Sequence, residues 1–118
     1  MNPPRHFKSA DFMQSSEGEP IRSVVTQSPA ATVVAWFIQP GQRIAAHTHP
    51  CGQDTWIILS GRGEYQFDAS GHTRPIVPGD VLVAHTSEVH GVYNNGTEPL
   101  RFISVVCPLE AGYELLAD

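Results

Sequence analysis

His47 and His49 stand one residue apart in HTHPCGQD (47–54), a stretch that ends on Gln53 and Asp54. The chain has six histidines in 118 residues, so two within three positions ask for a reason. On an extended strand alternate side chains face the same side, and two imidazoles so placed can grip one ion. A lone His-x-His is also common by chance, and polar residues on a wet loop would look the same. If the pair is half of a metal site, the other half must come from a distant part of the sequence.

The elements that would position such a pair are short strands. Ten glycines and ten prolines punctuate the whole chain, too often for long helices. Apolar runs lie between them: TVVAWFI (32–38), RIAAHTH (43–49), TWIILS (55–60) and GEYQFD (63–68), then RPIV (74–77), DVLVAH (80–85), EVHGVY (88–93) and LRFISVVC (100–107). EYQF and RFISVV follow a two-residue period better than a helical one. Eight short strands at this spacing predict an all-β sandwich or barrel over residues 31–118. Gly61-Arg62 reads as a hairpin turn between its flanking strands. LEAGYELLAD (109–118) is the one segment that suits a turn of helix. Residues 1–30, with Pro3, Pro4 and a polar middle, read as an extended N-terminal arm or edge segment, loose or tied down by a partner subunit.

Length, charge and cysteine usage narrow the function. A chain of this size with 41% hydrophobic residues buries one ordinary core. A net charge of -5 with no Lys/Arg cluster argues against a nucleic-acid surface. The longest apolar run, 31–38, is too short to span a bilayer, and the N-terminus has no apolar core of signal-peptide type. Cys51 and Cys107 make no disulfide framework, which predicts reduced thiols in a cytoplasmic protein.

At GQRIAAHTHPCGQDTWIILSG (41–61) the chain resembles the cupin family, whose first motif is Gly, five residues, His-x-His, three or four residues, Glu, six residues, Gly. Asp54 replaces the glutamate. The second motif is Gly, five residues, Pro-x-Gly, two residues, His, three residues, Asn. GDVLVAHTSEVHGVYN (79–94) matches it at Gly79, His90 and Asn94, and departs at His85 for Pro and Ser87 for Gly. The resemblance covers roughly 32–107 and implies a jelly-roll β-barrel with the site inside. It aligns His47, His49 and His90 with the family's three histidine ligands and Asp54 with its carboxylate. Such a set leaves two adjacent octahedral positions open and suits divalent Mn, Fe, Co, Ni, Cu or Zn. A structural zinc site would be closed and tetrahedral, usually with cysteine.

Two residues compete for the fourth position. Counting back from Gly61 favours Asp54 over Gln53, and a carboxylate offsets a divalent cation where an amide does not. The pleat then sends Asp54, Trp56 and Ile58 to one face, and Thr55 and Ile57 to the other. Against this, Asp is one methylene shorter than Glu, so its oxygen stops about 1.5 Å short unless the strand shifts. Cys51 is a thiol near the site mouth or a plain loop residue, and His85 an acid/base at the rim or a solvated turn histidine. Cys107 reads as packing, Asn94 as turn chemistry, and most of Trp36, Trp56, Tyr65, Phe67 and Tyr93 as barrel lining. His6 and His72 carry no assignment, and no separate general base is evident. The resemblance implies a metal-dependent enzyme of dioxygenase, decarboxylase or isomerase type on a small oxygen-rich molecule, or a non-catalytic binding or sensing module. It also implies a homodimer.

Overall fold

Period-two alternation puts most of the chain into strands, and the computed structural model describes residues 3–116. In chain order these are β1 (Ser23–Ser28), β2 (Ala31–Ile38), β3 (Arg43–Thr48), β4 (Gln53–Ser60) and β5 (Gly63–Gln66), followed by β6 (Thr73–Ile76), β7 (Val81–Ala84), β8 (His90–Tyr93), β9 (Leu100–Cys107) and β10 (Glu114–Leu115). All eight strands expected from the sequence are present. They form two antiparallel five-stranded sheets, ordered β1-β2-β9-β4-β7 and β10-β3-β8-β5-β6. This is a double-stranded β-helix: the barrel that the strand spacing allowed, in the jelly-roll form that the family resemblance implied.

The inner faces of the sheets make one core. β4 alternates as expected: Trp56 and Ile58 are buried and Ile57 and Leu59 exposed. Ile38, Tyr65, Ile76, Val92, Leu100 and Phe102 complete the cluster, with Trp56 stacked on Phe102 at 4.3 Å between ring centroids. Full burial of each such side chain contributes on the order of 2 kcal/mol. Tyr65 is part of this apolar packing, and burial raises its phenol above the usual range. Phe67 and Tyr93 fall outside it, each more than a third exposed.

Two expectations change. Gly61-Arg62 does not close a hairpin, because β4 pairs with β7 and β9 while β5 pairs with β6 and β8 in the other sheet. It is a corner where the chain crosses between sheets. Gly61 turns there at φ +79°, and a Cβ would collide with the Pro99 carbonyl, so only glycine fits. A two-residue turn signal looks the same for a corner and a hairpin. The tail makes no helix among the described residues. Pro108 and Gly112 break it, and β10 pairs with β3 instead. Residues 117 and 118 of that segment lie outside the described residues.

The N-terminal segment is fixed to its own barrel. β1 pairs with β2 as an edge strand, so the boundary at residue 30 falls within a hairpin. Upstream, Gln39 and Gln42 donate side-chain hydrogen bonds to the Ser16 carbonyl at 2.9 and 2.8 Å, and Gln14 donates to Ser23 at 3.0 Å. The exposed-looking polar middle of the arm is what makes these bonds. Met1 and Asn2 lie outside the described residues.

Candidate metal centre

The two sheets bring the paired histidines and their distant counterpart together. His47 sits near the end of β3 and lies opposite His90 of β8 in the ladder. The β3–β8 register shifts between Ile44 and His47, an irregularity of the kind that re-aims side chains beside a site. Gly91 lets the strands close up, since a Cβ there would press on the Ile44 carbonyl at 2.9 Å. His49 follows just beyond β3, and Asp54 projects from β4 across the barrel. All four are buried, between 0% and 7% exposed. One ligand atom from each lies within 4.8 Å of all the others.

The outer nitrogen of each ring is held by the backbone. Nδ1 of His47 donates to the Ala45 carbonyl at 2.8 Å, Nδ1 of His49 to Gly112 at 2.6 Å, and Nδ1 of His90 to Glu88 at 3.2 Å. A neutral imidazole has one N–H, so these carbonyls fix a tautomer whose Nε2 turns inward with a lone pair. For His49 and His90 that Nε2 meets Asp54 Oδ2 at 3.3 and 3.0 Å. Two acceptors face each other there unless a cation stands between them, either a second proton on the ring or a metal ion. Donors about 2.1 Å from one ion and at right angles stand about 3.0 Å apart, which is close to both separations. Asp54 Oδ1 is buried without a hydrogen-bond partner, a further free acceptor. Three imidazoles and one carboxylate in this arrangement fit a divalent transition metal.

Protonation follows the same contacts. Burial, with His90 close by, pulls His47 down to about 4. The hydrogen bond to Asp54 raises His49 against its partial burial. Burial would raise Asp54, but the bonds from His49 and His90, with a 3.1 Å bond from Trp56 Nε1, hold it at about 2. The cluster opens into a cavity of about 390 Å³ with Trp36, Ile44, Val106, Leu109 and Tyr113 among its walls.

The Cupin domain family model matches residues 34–106. The chain belongs to the cupin family. A conserved protein with a double-stranded β-helix domain from Klebsiella pneumoniae superposes with a TM-score of 0.93 at 43% identity, covering 98% of this chain and 100% of that one. An oxalate-binding protein of Thermotoga maritima is 32% identical over 69 residues, 58% of this chain and 55% of its own length. Germin-like protein 5-1 of Oryza sativa is 29% identical over 86 residues, 69% of this chain and 37% of its own length. This cupin thus spans about half or less of the curated relatives it matches.

Set against the cupin motifs, the site residues fall where counting put them. Asp54 faces the histidines, and its shorter side chain still reaches two of their nitrogens. Gln53 is exposed and leans on Thr55. The two departures in the second motif hold a turn: Ser87, at φ +65° where the motif has glycine, donates its N–H to the His49 carbonyl at 2.9 Å. His85 is a solvated turn histidine that donates to Glu88 at 2.7 Å, outside the cluster. Asn94 is buried and clamps a corner, donating to the Ile38 and Glu98 carbonyls, each at 2.8 Å. Cys51 is exposed, and its backbone N–H donates to Ala111 at 3.0 Å. Cys107 ends β9, half-buried.

Sequence reasoning missed Gly112 and Tyr113. Gly112 supplies the carbonyl that orients His49, and the Tyr113 ring packs on His47 at 4.8 Å. The Pro108 and Gly112 pair was the available signal that the tail is an irregular strap. Arg22 and Ser104, which also line the cavity, lie in strand-like surroundings with nothing in the sequence to mark them.

Proposed function

We propose that this cupin holds one divalent transition metal on His47, His49, His90 and Asp54, and acts through it on a small oxygen-rich molecule. The observation that carries the reading is the double constraint on the histidines: carbonyls hold every Nδ1, the Nε2 atoms of His49 and His90 meet one carboxylate oxygen, and a ligand atom of His47 lies within 4.8 Å of theirs. Bound there, the metal supplies Lewis acidity and a template for an oxygen-donor ligand, the chemistry of dioxygenase, decarboxylase and isomerase types. The chain itself does three things. The carbonyls of Ala45, Gly112 and Glu88 aim the rings, Trp56 steadies Asp54, and the apolar walls exclude water around the ligand.

A second reading is a binding or sensing module. It is favoured by the cavity lining, where Tyr113 is, among the described residues, the one titratable acid or base outside the four-residue cluster, apart from Arg22. The name of the Thermotoga relative points the same way. Oxygen uptake and product analysis with manganese- or iron-loaded protein, across hydroxy-acids, diketones and sugars, separate the two. Turnover of any panel member that His47→Ala abolishes supports the enzyme. Saturable binding with no turnover supports the module.

The same proposal includes a cytoplasmic homodimer. Reduced thiols support the compartment, and no described helix is long and apolar enough to cross a membrane. The outer face of β4 and β7 supports the dimer, because Ile57, Leu59, Val81 and Val83 are all exposed side by side. Light scattering at micromolar concentration is expected to give the mass of two chains. A mass of one chain rejects the dimer.

A further inference from the structure

The cavity beside the four-residue cluster is uneven in its chemistry. Val34, Ile44, Val106 and Leu109 give it apolar walls. Trp36 adds ring surface, because its Nε1 is spent on Ser104 Oγ at 3.1 Å. Against this stand two polar groups outside the cluster. Ser104 is 2% exposed, and its hydroxyl accepts from Trp36 while its own proton has no acceptor among the described residues. Arg22, just before β1, lies exposed at the mouth and makes no ion pair or hydrogen bond with any described residue. Among the described residues it is the one cationic side chain apart from the histidines that lines this cavity.

We propose that Arg22 is the specificity-determining residue of the cavity. Its guanidinium receives the carboxylate of a small acid whose apolar body lies on Val34, Ile44, Val106 and Leu109. An adjacent oxo or hydroxyl oxygen of that acid reaches the His47, His49, His90 and Asp54 cluster. The inference rests on the metal reading above and adds the ligand class: a 2-oxo or 2-hydroxy acid with a branched aliphatic or aromatic side chain. A guanidinium is a fixed planar donor fork and suits a carboxylate in two-point contact. The apolar walls argue against a compact dianion such as oxalate, which would leave that surface wet and bury a second charge near Asp54. They equally disfavour a sugar, whose hydroxyls would lose water without finding partners.

Calorimetric titration of the full chain with 4-methyl-2-oxopentanoate, its primary amide and oxalate tests this. The wild type is expected to bind the acid about tenfold more tightly than the amide, and more tightly than oxalate. Arg22→Gln should erase the acid–amide difference, and Arg22→Lys should keep part of it. An unchanged acid preference in Arg22→Gln overturns the proposal, as does tighter binding of oxalate by the wild type. Metal content measured on the same samples should be equal in wild type and Arg22→Gln. A loss in the variant would make Arg22 a builder of the metal site and overturn its role toward the ligand. If the wild type holds no metal, the metal reading falls by itself, while the acid–amide contrast still reads Arg22 on the same cavity.

Discussion

The two ends of the barrel interior are built from the same strands and obey opposite rules. At the closed end, Ile38, Ile58, Ile76, Leu100 and Phe102 fill the space between the sheets with purely apolar side chains. At the open end, His47, His49, Asp54 and His90 are equally buried, yet their polar atoms converge and one carboxylate oxygen has no partner. β4 runs through both: Ile58 belongs to the first, Asp54 to the second, and Trp56 joins them by stacking on Phe102 and donating to Asp54. Four residues along one strand thus separate a group that stabilises the fold from one that uses it. Stability is concentrated at the apolar end, where removing atoms leaves a cavity. The polar end is arranged for a cation.

Substitutions can break that contrast, and the largest effect is expected at the closed end. Phe102→Ala should cost about 3–5 kcal/mol in denaturant unfolding, the usual range for emptying a buried aromatic site. Metal content per folded chain should not change. Trp56→Phe keeps one aromatic ring but removes part of the indole and the N–H donated to Asp54, so it touches both ends. It should cost about 1 kcal/mol of stability and weaken metal binding about tenfold, read by competition with a chelator.

Acid should act chiefly through the open end, because the other lowered carboxyls, Asp68 and Glu88, lie at the surface and are screened by solvent. In the metal-free chain His47 titrates at about 4 against 6.5 when unfolded, so the unfolded chain takes up its proton first. The stability from neutral His47 is therefore complete above pH 6.5 and is lost as the pH falls toward 4. Asp54, at about 2 against 3.8, adds a loss of the same sign between those values. His49 is raised and opposes them, contributing below pH 6.5 and losing that contribution as the pH rises through its folded value. Tm should accordingly fall between pH 6.5 and 4, and His47→Gln should flatten that slope. An equal slope in the variant would place the sensitivity elsewhere. The smallest effect is expected at Gln53: Asp54→Asn should weaken metal binding clearly more than Gln53→Ala, and the reverse ranking would transfer the carboxylate's role to the amide.

Much of this contrast was legible in the sequence. Alternation along TWIILS and RFISVV reveals which residues face inward, and the two spaced motifs bring His90 to the His47 pair across 40 residues of chain. Counting to Gly61 separates Asp54 from Gln53. What escaped depends on which sheet a strand joins. Gly61-Arg62 carries the local chemistry of a tight turn whether its strands pair or part, and only the β4–β9 and β5–β8 ladders decide it. The Gly112 carbonyl escaped for a related reason. A backbone acceptor has no residue signature, and its placement comes from the strap between β9 and β10 folding back over His49.

Metal stoichiometry tests the central claim most directly. Elemental analysis of the purified full chain, beside His90→Ala, is expected to find one divalent transition metal per wild-type chain and close to none in the variant, with both showing the same β-rich circular dichroism. A wild-type chain that stays metal-free after incubation with manganese, iron, cobalt, nickel, copper and zinc would contradict it. So would stoichiometric metal retained in folded His90→Ala.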